Sequence, residues 1–154
     1  MAGALEGIKI LDLTSVGFGP YACQILGDYG AEVIKIESPE GDITRGIAPF
    51  RNKGMGHFFI NANRNKKSLV LDLKTKKGKA VFFKLVEKSD VVMTSIRPAA
   101  MERLGIDFTA CKQINPSLIY VALVGFVQSG PYAKRQAYDD IIQGVSGMAE
   151  MQGG

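Results

Sequence analysis

The chain has 154 residues, 46% of them apolar and 22% charged, and its 19 Lys and Arg against 15 Asp and Glu leave a net charge of +4. This is a globular composition, which excludes a disordered tail, a collagen-like rod and a coiled coil, and no apolar run approaches the ~18 residues of a membrane-spanning helix. The opening MAGALEGIKI lacks the order of a secretory signal, and the distant Cys23 and Cys111 make neither a disulfide framework nor a CxxC site, so both are expected to be reduced and buried in a cytoplasmic protein.

The first element is Ile8–Leu13, a β-branched run that ends in the turn-rich Thr14-Ser15-Val16-Gly17-Phe18-Gly19. Pro20 is favoured at a helix start, and Ala22, Ile25, Leu26 and Tyr29 then recur at helical spacing up to Gly30. Ala31–Glu37 is a second strand, and strand, turn, helix and strand in this order make a βαβ unit with parallel pairing. Residues 42–67 carry little periodicity and read as a long loop with short helical pieces. Ser68–Leu73 restores a strand, and Thr75 caps a helix with Val81, Phe82, Leu85 and Val86 as its apolar stripe.

Asp90–Met93 is a buried strand, followed by helices at Ala99–Leu104 and Asp107–Ile114. Ser117–Gly125 is the most strand-like segment, and after a loop a single helix is expected from Tyr138 toward Met151. The alternation predicts an α/β fold, a Rossmann-like parallel sheet with helices on both faces, without repeat or inter-domain linker.

Seven basic residues fall in the sixteen positions from Arg64 to Lys79, with Asp72 the only acid. Such a run attracts polyanions, but it is also how a solvated helix face reads. Aromatic residues do not interleave it, which weighs against a nucleic-acid partner. Gly17, Gly19 and Ala22 satisfy G-x-G-x-x-G/A, with Glu37 ending the next strand. That is the pattern of an NAD(P)-binding oxidoreductase domain, pyrophosphate on the helix N-terminus and the acid on ribose; Glu37 as a solvent-facing strand end is the plainer alternative. His57 is the only histidine, no G-x-S-x-G elbow or phosphate loop is present, and one His with two distant Cys cannot close a metal site.

An ordered set of motifs runs the length of the chain. It begins with Leu5-x-Gly7-x-x-x-Leu11-Asp12-x-Thr14, Gly19-Pro20 and the stretch from Leu26 to Glu37. It continues through Gly41-Asp42-x-x-Arg45-Gly46, Asn63-Arg64-Asn65-Lys66-Lys67-Ser68, Leu71-Asp72-Leu73-Lys74 and Gly78-Lys79. Asp90-Val91-Val92, Arg97-Pro98, Arg103-Leu104-Gly105, Asn115-Pro116, Gly125-Phe126 and Tyr138-Asp139-x-x-x-Gln143 complete it. Together these resemble the opening of family III CoA-transferases, which include α-methylacyl-CoA racemases.

The resemblance implies that residues 1–154 are the N-terminal, CoA-binding part of an acyl-CoA transferase, incomplete without a second domain and a C-terminal return. Its partners are then an acyl-CoA, bound as substrate rather than cofactor, and a carboxylic acid, with no nucleic acid or membrane and a homodimer at full length. Positions matching the family's CoA contacts are Val16, Gly17 and Phe18 in the loop after the first strand, with Leu71, Lys74 and Arg103. Ser38 stands where the family commonly has a phosphate-binding arginine. The nucleophilic aspartate is expected beyond Gly154, so no catalytic residue is assigned, no metal is implied, and these residues alone are expected to have no turnover. Asp139 matches a helix-start acid of the family rather than that nucleophile. Racemases carry a histidine where this chain has Tyr138, whose ordinary pKa of about 10 suits α-proton abstraction poorly; transfer is favoured over racemisation. A non-catalytic CoA-binding module is the remaining alternative.

Overall fold

Five parallel strands form the centre of the computed structural model, which describes residues 3–153. β1 (Lys9–Leu13), β2 (Glu32–Glu37), β3 (Lys66–Val70), β4 (Val91–Thr94) and β5 (Ile119–Ala122) lie side by side in the order β3-β2-β1-β4-β5. In register, Leu11 of β1 stands between Ile34 of β2 and Val92 of β4. The chain winds outward from β1 to β3, then returns to place β4 on the other side of β1. The direction of winding therefore reverses between β1 and β4, and in open parallel sheets ligands enter beside such a reversal, at the strands' carboxyl ends. The helices of this unit are α1 (Phe18–Asp28), α2 (His57–Ala62), α3 (Lys76–Val86), α4 (Pro98–Leu104) and α5 (Phe108–Ile114).

The two faces of the sheet differ in chemistry. On one, Leu11, Leu13, Ile36 and Val92 pack against Phe82 and Val86 of α3, Met101 of α4, and Ile106, Cys111 and Leu118. This is the apolar core, where burial of each large side chain contributes roughly 1.5–3 kcal/mol. The opposite face carries Asp12, Lys35, Glu37 and Met93, all buried. Here α1 lies over the sheet, its Cys23 Sγ 3.5 Å from Met93 Sδ, and Lys66 enters from β3 with its side chain 2% exposed.

That polar floor rotates α1 away from the expected orientation. Its buried residues are Gly19, Pro20, Cys23 and Gln24, while Tyr21, Ile25 and Tyr29 are exposed. A sheet face bearing Asp12 and Lys66 accepts small or polar residues above it, so the larger apolar side chains turn outward. Val81 of α3 is likewise exposed rather than part of the buried stripe, which holds Phe82 and Val86.

Three element boundaries also differ from the sequence reading. β3 spans Lys66–Val70 and ends before Leu71 because Asp72 makes a turn there, its carboxylate accepting from Lys74 N at 2.9 Å. β5 stops at Ala122. The last helical segment is two helices, α6 (Asp139–Val145) and α7 (Met148–Gly153), separated by Gly147 at φ +77°, a left-handed conformation that costs glycine little. The expected helical pieces between residues 42 and 67 are a 3₁₀ turn, Ile43–Gly46, and α2.

One compact unit ends at Ala122 and a second begins at Leu123. The second contains α6 and α7, neither of which holds a buried residue, and a loop in which Phe126 and Tyr132 meet edge to face at 5.6 Å. Cys23 and Cys111 are free and buried, and burial, the larger cause in each, pushes both thiols up to about 12. Among the described residues no helix is long and apolar enough to cross a membrane.

Candidate functional site

A crevice of about 210 Å³ opens at the carboxyl ends of the strands. Leu13 closes β1, Ile36 and Glu37 close β2, and the strap Leu71-Asp72-Leu73-Lys74 follows β3, with Ile96 beyond β4 and Leu104 of α4 on the far wall. The strap is fixed at both ends. Leu71 N donates to Glu37 O at 2.9 Å, continuing the sheet by one bond. Asp72 O accepts from Thr75 N at 3.1 Å and from the Thr75 hydroxyl at 2.8 Å, and that hydroxyl accepts from Gly78 N at 3.0 Å to cap α3.

The lining of the crevice is mainly aliphatic, with Ser38, Glu40 and Lys74 among its polar residues. The Ser38 hydroxyl, the Glu40 backbone and the nearby Lys74 charge together hold the Glu40 carboxyl below the usual carboxylate range. Lys74 itself is exposed and forms no salt bridge among the described residues.

The six residues singled out from the sequence fall in four places. Leu71 and Lys74 line the crevice together. Arg103 is exposed in the last turn of α4, where its neighbour Leu104 lines the crevice but Arg103 does not. Gly17 and Phe18 line a separate groove of about 400 Å³ between α1 and α2, with Tyr21, His57 and Phe58. Val16 lines neither cavity; it is 51% exposed at φ +69°.

The dinucleotide pattern does not survive the geometry. Glu37, read as a ribose ligand or a solvent-facing strand end, is 4% exposed with both carboxylate oxygens occupied. Arg45 clamps it with two bonds of 2.7 Å, the Ser68 hydroxyl donates at 2.7 Å and Asp42 N at 3.0 Å. Burial by itself would raise this carboxyl, but the Arg45, Ser68 and Asp42 donors outweigh it and hold the pKa at about 2. The folded value lies below the ordinary 4.5, so the stability it contributes is complete above that pH and is lost as pH falls toward 2. The size is on the order of 3 kcal/mol. Urea melts of the wild type are expected to lose stability steeply across this window, and Glu37→Gln to flatten the loss; parallel profiles would remove the Arg45 clamp from the account.

Lys66 is the other departure, a member of the basic run read as solvated. Its three ammonium protons go to Asp12 at 2.8 Å, Pro20 O at 2.8 Å and Asn63 Oδ1 at 2.9 Å, while burial lowers its pKa. Arg64 and Lys67 of the same run form exposed ion pairs with Asp28 and Glu32. Periodicity around Lys66 carries no sign of an inward turn; the nearest signal is Asp12, an acid between Leu11 and Leu13 in the first strand.

With this geometry in place, comparison with known proteins decides the family. The family model described as "CoA-transferase family III" matches residues 5–154. The chain belongs to CoA-transferase family III. This family III chain is 43% identical to the acetyl-CoA:oxalate CoA-transferase of Acetobacter aceti over 95% of its own length, and 41% identical to the succinate–glutarate CoA-transferase of Agrobacterium fabrum over 97%. It spans only 38% and 39% of those two relatives. Among solved structures, a CAIB/BAIF family protein from Brucella suis matches with a TM-score of 0.90 and 39% identity, over 96% of this chain and 40% of that one. In the family III chain Asp139 opens α6 and accepts from Gln143 Nε2 at 2.6 Å, a local helix contact.

Proposed function

We propose that this chain is the CoA-binding, N-terminal part of an enzyme that moves CoA between carboxylic acids, and that the crevice beside Leu71 and Lys74 holds the nucleotide end of the CoA thioester. CoA presents a purine ring, a pyrophosphate and a 3′-phosphate. Ile36, Leu71, Ile96 and Leu104 offer the ring an apolar seat, and Lys74 at the mouth offers the phosphates a charge-assisted partner. Arg103, exposed beside that wall, is a second cation within the same neighbourhood. The observation that carries the reading is this pairing of a mainly aliphatic crevice with an exposed cation that forms no salt bridge among the described residues, at the carboxyl edge of a parallel sheet.

The named relatives exchange CoA between carboxylates such as oxalate, succinate and glutarate, and an acid of this class is the proposed co-substrate. Transfer of this kind needs an acyl nucleophile. Asp139 and Asp140 sit in the exposed first turn of α6 and are given no such role, so the 154-residue chain alone is expected to bind CoA without turning it over. Tyr138 in place of a histidine base favours transfer over racemisation.

Melting the chain with CoA and with NADH separates this reading from the nicotinamide one. Saturating CoA, at about 100 times its Kd, is expected to add about 2.7 kcal/mol, a rise of about 5–10 °C in Tm. NADH is expected to leave Tm unchanged. A rise with NADH and none with CoA would reverse the assignment.

A further inference from the structure

Buried lysines hold the loop between β1 and α1, one at its start and one just past its end. At its start, Lys35 Nζ donates to Thr14 O at 2.8 Å and pairs with Asp42 at 2.9 Å. Just past its end, in the first turn of α1, Lys66 Nζ donates to Pro20 O at 2.8 Å. Asp12 ties the two grips together, accepting from Lys66 at 2.8 Å, from Thr14 N at 2.8 Å and from the Thr14 hydroxyl. In between, Ser15 N is anchored to Ser95 Oγ at 3.0 Å. Both lysine side chains are only 2% exposed.

The loop so held contains a conformation it does not favour. Val16 has φ +69°, and a β-branched residue in the left-handed region is strained by its own side chain, so it persists only where surrounding contacts over-determine it. Buried ion pairs are weak devices for stability, since well-packed apolar residues do as well or better. Here, however, each ammonium also binds a backbone carbonyl, Thr14 O where the loop leaves β1 and Pro20 O in the first turn of α1, which an apolar replacement cannot do.

We propose that Lys35 and Lys66 are positioning residues that hold the Thr14–Gly17 loop and the first turn of α1 around the strained Val16, presenting Val16, Gly17 and Phe18 to the substrate. The substrate part rests on the CoA reading above; the clamp itself does not.

Nuclear magnetic resonance on the full 154-residue chain tests the clamp. A positive φ gives Val16 a strong intraresidue Hα–HN contact. Lys35→Met and Lys66→Met are expected to abolish it while α3 and β4 resonances stay in place; retention of the signature in both variants would overturn the proposal. Val16→Gly covers the case in which the lysine variants do not fold. Relief of the strain is expected to raise its Tm, yet to weaken CoA binding severalfold because the loop is freed. A stability gain accompanied by an affinity loss is not what a purely structural role produces. A lowered Tm would show that no strain is held there, and an unchanged CoA affinity would remove the loop from substrate presentation. If wild type and Val16→Gly both fail to bind CoA, the CoA reading and the loop's substrate role fall together, and the resonance signature alone decides the clamp.

Discussion

Asp12→Ala is expected to cost about 3–5 kcal/mol of folding stability, the range for a buried ion pair that loses one partner. Asp12 is fully buried in the central strand, and among the described residues its carboxylate is the only anion bound to Lys66, whose remaining acceptors are Pro20 O and Asn63 Oδ1. Without it a lysine ammonium stays under α1 with no countercharge, and Thr14 N and its hydroxyl lose their acceptor as well. The double change Asp12→Leu with Lys66→Met is expected to recover most of the loss, because it removes the second charge along with the first. Urea denaturation at neutral pH reads both. A loss below about 1 kcal/mol in the single variant, the scale of an exposed pair, would contradict the buried pairing.

Gly78→Ala is expected to destabilise the protein where a helix ordinarily gains from that change. Inside a helix alanine is better than glycine by about 1 kcal/mol. Here an added Cβ would stand 2.0 Å from Asp72 O and 2.7 Å from its carbonyl carbon. Those are backbone atoms of the crevice strap, and neither can swing aside as a side chain would. Overpacking of this kind costs about 1–3 kcal/mol, so the sign reverses. The strap must shift to admit the methyl group, and Lys74 shifts with it, so CoA affinity is expected to fall alongside Tm. An alanine variant with a higher Tm and unchanged affinity would show that the strap does not rest on α3 as described.

What the sequence made legible follows from which interactions are local. The strand and helix alternation came through because β-branched runs such as Ile8–Leu13 and the Thr75 cap are written in consecutive residues, and the parallel α/β sheet follows from them. The helix face presented by α1 was not legible. Tyr21, Ile25 and Tyr29 point outward because Asp12 and Lys66 lie beneath, and Lys66 is 54 positions away from Asp12 in the chain. The Glu37 clamp failed to show for the same reason: Arg45 and Ser68 meet it only after folding. The end of β3 was misplaced because alternation in Ser68–Leu73 outlasts the strand, while the Asp72 turn that stops it is a side-chain hydrogen bond. Within the candidate site, Leu71 and Lys74 share one crevice, whereas Gly17 and Phe18 face a groove formed by α2, in a segment with little periodicity of its own.

Titration calorimetry of CoA into the 154-residue chain, repeated with Lys74→Ala, tests the reading of the crevice most directly. The expected result is saturable binding at a single site that weakens severalfold when the ammonium is removed, since Lys74 lies exposed at the rim and anchors no part of the core. No heat of binding from the folded wild-type chain, or an affinity that Lys74→Ala leaves untouched, would contradict it.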